Sequence, residues 1–266
     1  MEDFFKIDIP VFSPQYDENT RYGWSRYKDN LWELLSTTTG GYCMYCYDSI
    51  CVNGHKRGEI EHGIEKINDE KSLSDCIPNL GIACKNCNGK YKRRGEAARK
   101  LPRESINTFQ QAHCKKYDCK KMCNHYEKLR REYISQGKII LQPFTVKLDD
   151  KGHVLALQYD LLRGKYVPSD KYGQYTENEL AVIYGHIQLF DLNGPDRINY
   201  DIGAYCKNVI DNHSIMIGVK YSNLVVDLFR EKLKKMQIEE AVKICQIVYM
   251  TCLLYTSDAA DDMQCV

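Results

Sequence analysis

The sequence predicts an α+β protein in which a small metal-stapled module precedes a mainly helical region. Three observations predict it. Cys43-x2-Cys46 and Cys84-x2-Cys87 are two matched thiol pairs 37 residues apart. Short extended runs and glycines punctuate the stretch between and around them. After residue 140 the pattern changes to amphipathic segments of helical length. The chain divides on this reading into an N-terminal extension and helix (1–39), the metal module with a basic helical continuation (40–140), a mainly helical domain (141–251) and a tail (252–266).

Residues Phe4–Pro10 read as an extended start, and Ser25–Ser36 as a helix carrying Tyr27, Leu31, Trp32 and Leu35 on its core face. From about Glu104 to Gln136 the pattern is polar helix. A hairpin is expected around Asp149-Asp150-Lys151-Gly152, then helices near 177–190, 201–211, 221–236 and 238–251. Residues 252–262, CLLYTSDAADD, resemble the translation of a transposase sequencing adapter, so the stretch after Thr251 is expected to be non-native.

Charge is distributed unevenly. The formal net charge is +1, yet residues 85–138 hold 16 Lys/Arg against five Asp/Glu, so a nucleic-acid partner is expected to face the basic middle. No stretch supplies the roughly 18 uninterrupted apolar residues of a membrane helix, and the acidic start is unlike a signal peptide. Thirteen cysteines without an export signal suit metal ligands in a reducing cytoplasm better than a disulfide scaffold.

Two thiolates on each of two facing turns close a tetrahedral Zn2+ site. With all four positions filled by Cys43, Cys46, Cys84 and Cys87, that ion is structural, and its binding energy is folding energy. A second cluster, His113, Cys114, Cys119, Cys123 and His125, invites a second metal, with Cys119 and Cys123 at i, i+4 if helical; ordinary helix residues are the favoured alternative. Cys51 and His55 lie near a first knuckle that is already full, and Cys76, Cys206 and Cys245 read as small apolar residues.

Between and after the knuckles run Glu61-His62, Asn79-Leu80 and Cys84-x2-Cys87-Asn88-Gly89-Lys90. This order of motifs resembles the HNH endonuclease family, specifically its zinc-knuckle subgroup, although Glu65 stands where that subgroup has proline. The resemblance implies a ββα-metal module in which Glu61 and Asn88 bind one catalytic Mg2+ or Mn2+, with Glu59 a backup ligand. His62 would take a proton from the attacking water. Asn79 would brace the loop, and Lys90, Lys92, Arg93 and Arg94 would contact phosphates. The implied activity is hydrolysis of phosphodiester bonds, most readily in DNA. The C-terminal texture resembles HNH proteins encoded beside an ATPase in bacterial anti-phage systems such as Septu, which implies an ATPase partner docking on that half, although an apolar run such as Ile183–Phe190 is more often core than interface. A non-catalytic zinc-ribbon nucleic-acid-binding module and an ATPase-recruiting subunit are the alternatives.

Overall fold

Seven helices and three small sheets are arranged around one continuous apolar core in the computed structural model, which describes residues 2–52, 54–69, 72–112, 119–194, 199–215 and 221–261. The chain is therefore α+β. Among the described residues no helix is long and apolar enough to cross a membrane.

After a 3-10 turn at Glu2–Phe5, strand β1 (Lys6–Asp8) lies not beside its sequence neighbours but against β6 (Leu157–Asp160), with Ile7 opposite Tyr159. β6 also pairs with β7 (Lys165–Pro168), giving the sheet order β1-β6-β7. The hairpin of this region is thus β6–β7, turning through Gly164 at φ 59°, where the left-handed backbone favours glycine. Asp149–Gly152, where the hairpin was expected, is a local turn closed by Gly152 N–H donating to Asp149 O at 3.3 Å.

Helix α1 (Lys28–Thr38) begins three residues later than its sequence pattern suggests. Leu31 and Leu35, one turn apart, are fully buried, and the Trp32 indole N–H donates to Gly58 O at 3.2 Å. Tyr27 falls outside the helix, left-handed at φ 60° and exposed. Beyond the two-residue strands β2 (Cys51–Val52) and β3 (His55–Lys56), β4 (Gly58–His62) pairs antiparallel with β5 (Leu80–Cys84), setting Glu61 opposite Gly81 and His62 opposite Leu80. A five-residue π-helical turn, Cys87–Tyr91, follows β5 directly.

The basic stretch folds as two helices, α2 (Arg103–Ala112) and α3 (Asn124–Gly137), rather than one. α4 (Glu177–Leu189) starts with a reciprocal capping box between Thr176 and Glu179. α5 (Asn199–Asn212), α6 (Leu224–Leu233) and α7 (Ile238–Asp261) complete the chain, with α7 running without a break past Thr251. The apolar run of α4 is core: Ile183, Ile187 and Phe190 are buried, so that stripe faces the chain's own interior.

Packing crosses position 140 repeatedly. The first knuckle turn rests on the start of α6: Leu224 N–H donates to Tyr47 O (2.9 Å), and Asn223, fully buried, donates to Asp48 Oδ1 (2.8 Å) while accepting from Val225 N–H. Tyr42 hydrogen-bonds Asp227 of the same helix. From the other side, the Tyr45 ring stacks on Phe190 at 4.7 Å and an interplanar angle of 11°.

Candidate functional site

The knuckle sulfurs converge as their spacing predicts. The four Sγ atoms of Cys43, Cys46, Cys84 and Cys87 lie within 4.8 Å of one another, and Cys46 Sγ and Cys84 Sγ are 3.6 Å apart. A tetrahedron with Zn–S bonds of about 2.3 Å has edges of about 3.8 Å, so the cluster has the size and donor chemistry of a zinc site. Hydrogen bonds from its three neighbours pull the Cys84 thiol far below its ordinary value, whereas Cys46 is held above its own by all three sulfurs and burial, and Cys87 by Cys43, Cys84 and burial. A divalent ion lets all four ionise.

The same two turns fix a second feature. β4 and β5 leave the cysteine cluster side by side, and at its far end β4 delivers Glu61 and His62 to a cleft of about 320 Å³. Its lining includes Trp24, Glu61, His62, Lys66, Asn88 and Arg93. The residues singled out on β4 and at Asn88 thus border one space, although 26 positions separate His62 from Asn88.

His62 is 9% exposed, and its Nε2 lies 3.1 Å from Ser74 O. A carbonyl only accepts, so Nε2 carries the proton and Nδ1 is the basic nitrogen. Burial lowers the imidazole pKa to about 4, with Lys66 and Lys92 acting in the same sense, and the ring is neutral at physiological pH. Trp24 packs edge-on against the ring at 5.4 Å, and the Lys66 ammonium sits 3.2 Å from the Trp24 ring centre.

Asn79 is fully buried and spends its whole side chain on the loop after His62. Oδ1 accepts from Ile64 N–H (2.7 Å) and Tyr126 O–H (2.9 Å), while Nδ2 donates to Ile64 O and Leu73 O, both at 3.1 Å. Through Leu73 it fixes the residue next to Ser74, whose carbonyl holds His62. Glu65 is buried against Arg99 at 2.8 Å and also accepts from Tyr133 O–H. It anchors the loop to α3.

Three expectations are corrected. Lys92 is not a surface phosphate contact, since its side chain is 3% exposed and its ammonium donates to Glu61 Oε2 (2.6 Å), Gly63 O (2.8 Å) and His62 O. Lys90, Arg93 and Arg94 are exposed as anticipated. Glu61 and Asn88 do not face each other as a free ligand pair: Glu61 is 2% exposed and accepts from Lys92 and Tyr45, while Asn88 Nδ2 donates to Glu59 Oε2 at 2.8 Å. Cys119 and Cys123 do not share a helix, because α3 begins only at Asn124. His113 and Cys114 lie outside the described residues, and among the described ones the knuckle cysteines are the group of His, Cys, Asp or Glu side chains that could hold an ion.

Trp24 and the Ser74 carbonyl carry no sequence signal of their own, since neither lies in the motif they support. No protein-family model, no curated protein and no solved structure matches the chain.

Proposed function

We propose that the chain hydrolyses phosphodiester bonds of nucleic acid at the His62 cleft, the activity its resemblance to HNH nucleases implies. The observation that supports this most is a neutral histidine, its tautomer fixed by a backbone carbonyl, in a cleft that Lys66 and Arg93 also line. In this reading Nδ1 of His62 takes the proton of a water whose oxygen bonds to phosphorus as the P–O3′ bond breaks, and the departing 3′ oxygen takes a proton from solvent, leaving 5′-phosphate and 3′-hydroxyl ends. A bound phosphate raises the basicity of the imidazole that burial has lowered. Lys66 and Arg93 stabilise the charge that develops on the phosphate oxygens, and Lys90 and Arg94 grip the flanking backbone without reading sequence.

The residues as arranged do not fit a divalent ion shared by Glu61 and Asn88, because Glu61 is sealed from solvent with the Lys92 ammonium on one carboxylate oxygen and the Tyr45 hydroxyl on the other, while Asn88 is turned to Glu59. The steps above therefore use only the chain's own groups. DNA as the substrate, a role in anti-phage defence and an ATPase that gates cutting enter this proposal through the resemblance alone. The closed state of Glu61 favours a second reading, a zinc-stapled module that binds nucleic acid without cutting it.

Supercoiled plasmid incubated with wild type and His62→Ala, with and without added Mg2+ or Mn2+, tests the proposal. Wild type should nick, and the variant should lose at least about 100-fold in rate at equal zinc content and equal DNA affinity. Equal rates in the two proteins would reject His62 as the base. Binding without cutting by zinc-loaded wild type would favour the second reading.

A further inference from the structure

Lys92 is the one cation of its basic run that points inward, and its surroundings are those of a cation seat. An ammonium has three donors and no acceptor. Here three oxygens receive them: Glu61 Oε2 at 2.6 Å, Gly63 O at 2.8 Å and His62 O. The Tyr45 ring closes the seat at 5.6 Å from Nζ, and its hydroxyl donates to the other oxygen of Glu61. The pair is nearly sealed, with side chains 3% and 1% exposed. One carboxylate oxygen and two backbone carbonyls are hard donors of the kind that hold Mg2+ or Mn2+.

We propose that the ammonium of Lys92 is the resident cation of this seat, tethered where a divalent ion would otherwise bind Glu61. Two consequences follow from electrostatics. The charge of Glu61 is cancelled by a group at fixed distance, so an incoming ion has to displace a covalently attached competitor that cannot diffuse away. The cation beside His62 is covalently attached, so its presence there is independent of the ion concentration around the protein. Vacating the seat exposes a buried carboxylate with two carbonyls beside it, and that is a binding site for a small cation.

Calorimetric or paramagnetic-resonance titration of the zinc-loaded chain with Mn2+, in the absence of nucleic acid, tests this separately from any cleavage. Wild type should show no bound Mn2+ that Glu61→Gln removes. Lys92→Met should bind Mn2+ at least about tenfold more tightly than wild type, and adding Glu61→Gln to that variant should abolish the gain. A wild-type Mn2+ site that depends on Glu61 would overturn the proposal, as would a zinc-retaining Lys92→Met protein that gains nothing. Should Lys92→Met fail to retain zinc, the wild-type protein decides alone. Its most slowly exchanging lysine ammonium signal should persist unchanged in millimolar Mg2+, and loss of that signal would refute the assignment.

Discussion

Replacing Asn79 by alanine removes four hydrogen bonds from a site without water access. The substitution leaves the Ile64 N–H, the Tyr126 hydroxyl and the carbonyls of Ile64 and Leu73 without their partner. At about 1 kcal/mol net per bond, the loss is about 4 kcal/mol, and more where a stranded donor stays dry. That is a large share of the roughly 5–15 kcal/mol that keeps a domain folded. Urea unfolding of zinc-saturated protein, followed by the fluorescence of Trp24 and Trp32, should show the midpoint falling by about 2 M for a slope near 2 kcal/mol/M. Tyr126→Phe removes one of the four bonds and should cost about 1 kcal/mol. If Asn79→Ala costs no more than Tyr126→Phe, the account of Asn79 as the brace of the 63–74 loop fails.

Cys46→Ser should reduce bound zinc from one per chain to a small fraction and abolish the cooperative unfolding transition, because binding and folding share one free energy; a cooperative, zinc-free Cys46→Ser protein would contradict this. Acid should destabilise the chain through two buried imidazoles, His62 with its pKa lowered to about 4 and His186, its Nδ1 accepting from Ile140 N–H, lowered to about 3. Since the unfolded chain takes up these protons first, near pH 6.5, the stabilisation is complete above that pH and lost as pH falls to about 4 for His62 and about 3 for His186. His62 alone accounts for about 3 kcal/mol of it. Urea midpoints measured across this range should fall with pH, and less steeply in His186→Gln; a flat profile in wild type would rule the account out.

The cysteine pairs were legible because ligand spacing is a local constraint that chain geometry carries directly into space. Asn79 was singled out only through the resemblance to the HNH family, since nothing in its local spacing points to the loop it hydrogen-bonds. Lys92 was not legible. In a run of Lys90, Lys92, Arg93 and Arg94, nothing local distinguishes the inward residue, and its direction comes from the π-helical turn at Cys87–Tyr91 and the buried carboxylate across from it. The hairpin was misplaced because Asp-Asp-Lys-Gly is a stronger turn signal than Leu-Leu-Arg-Gly, while the partner that selects β6 lies in β1. Helix α4 needed no such partner, since its capping box is written within four residues.

The β1–β6 ladder also sets a timetable for synthesis. Asp8 leaves the ribosome 150 positions ahead of its partner Gln158, a wait of about 8–30 s at roughly 5–20 residues per second. Throughout that interval Ile7 and Ile9, both buried in the finished fold, have no sheet to enter, and an unpaired strand bearing apolar side chains is a template for pairing with another chain. A fragment ending at residue 140 would remain in that condition permanently, without β6 for its first strand or α6 beneath its first cysteine knuckle. The segment that carries the cysteine knuckles is therefore a compositional unit whose packing depends on sequence translated after it.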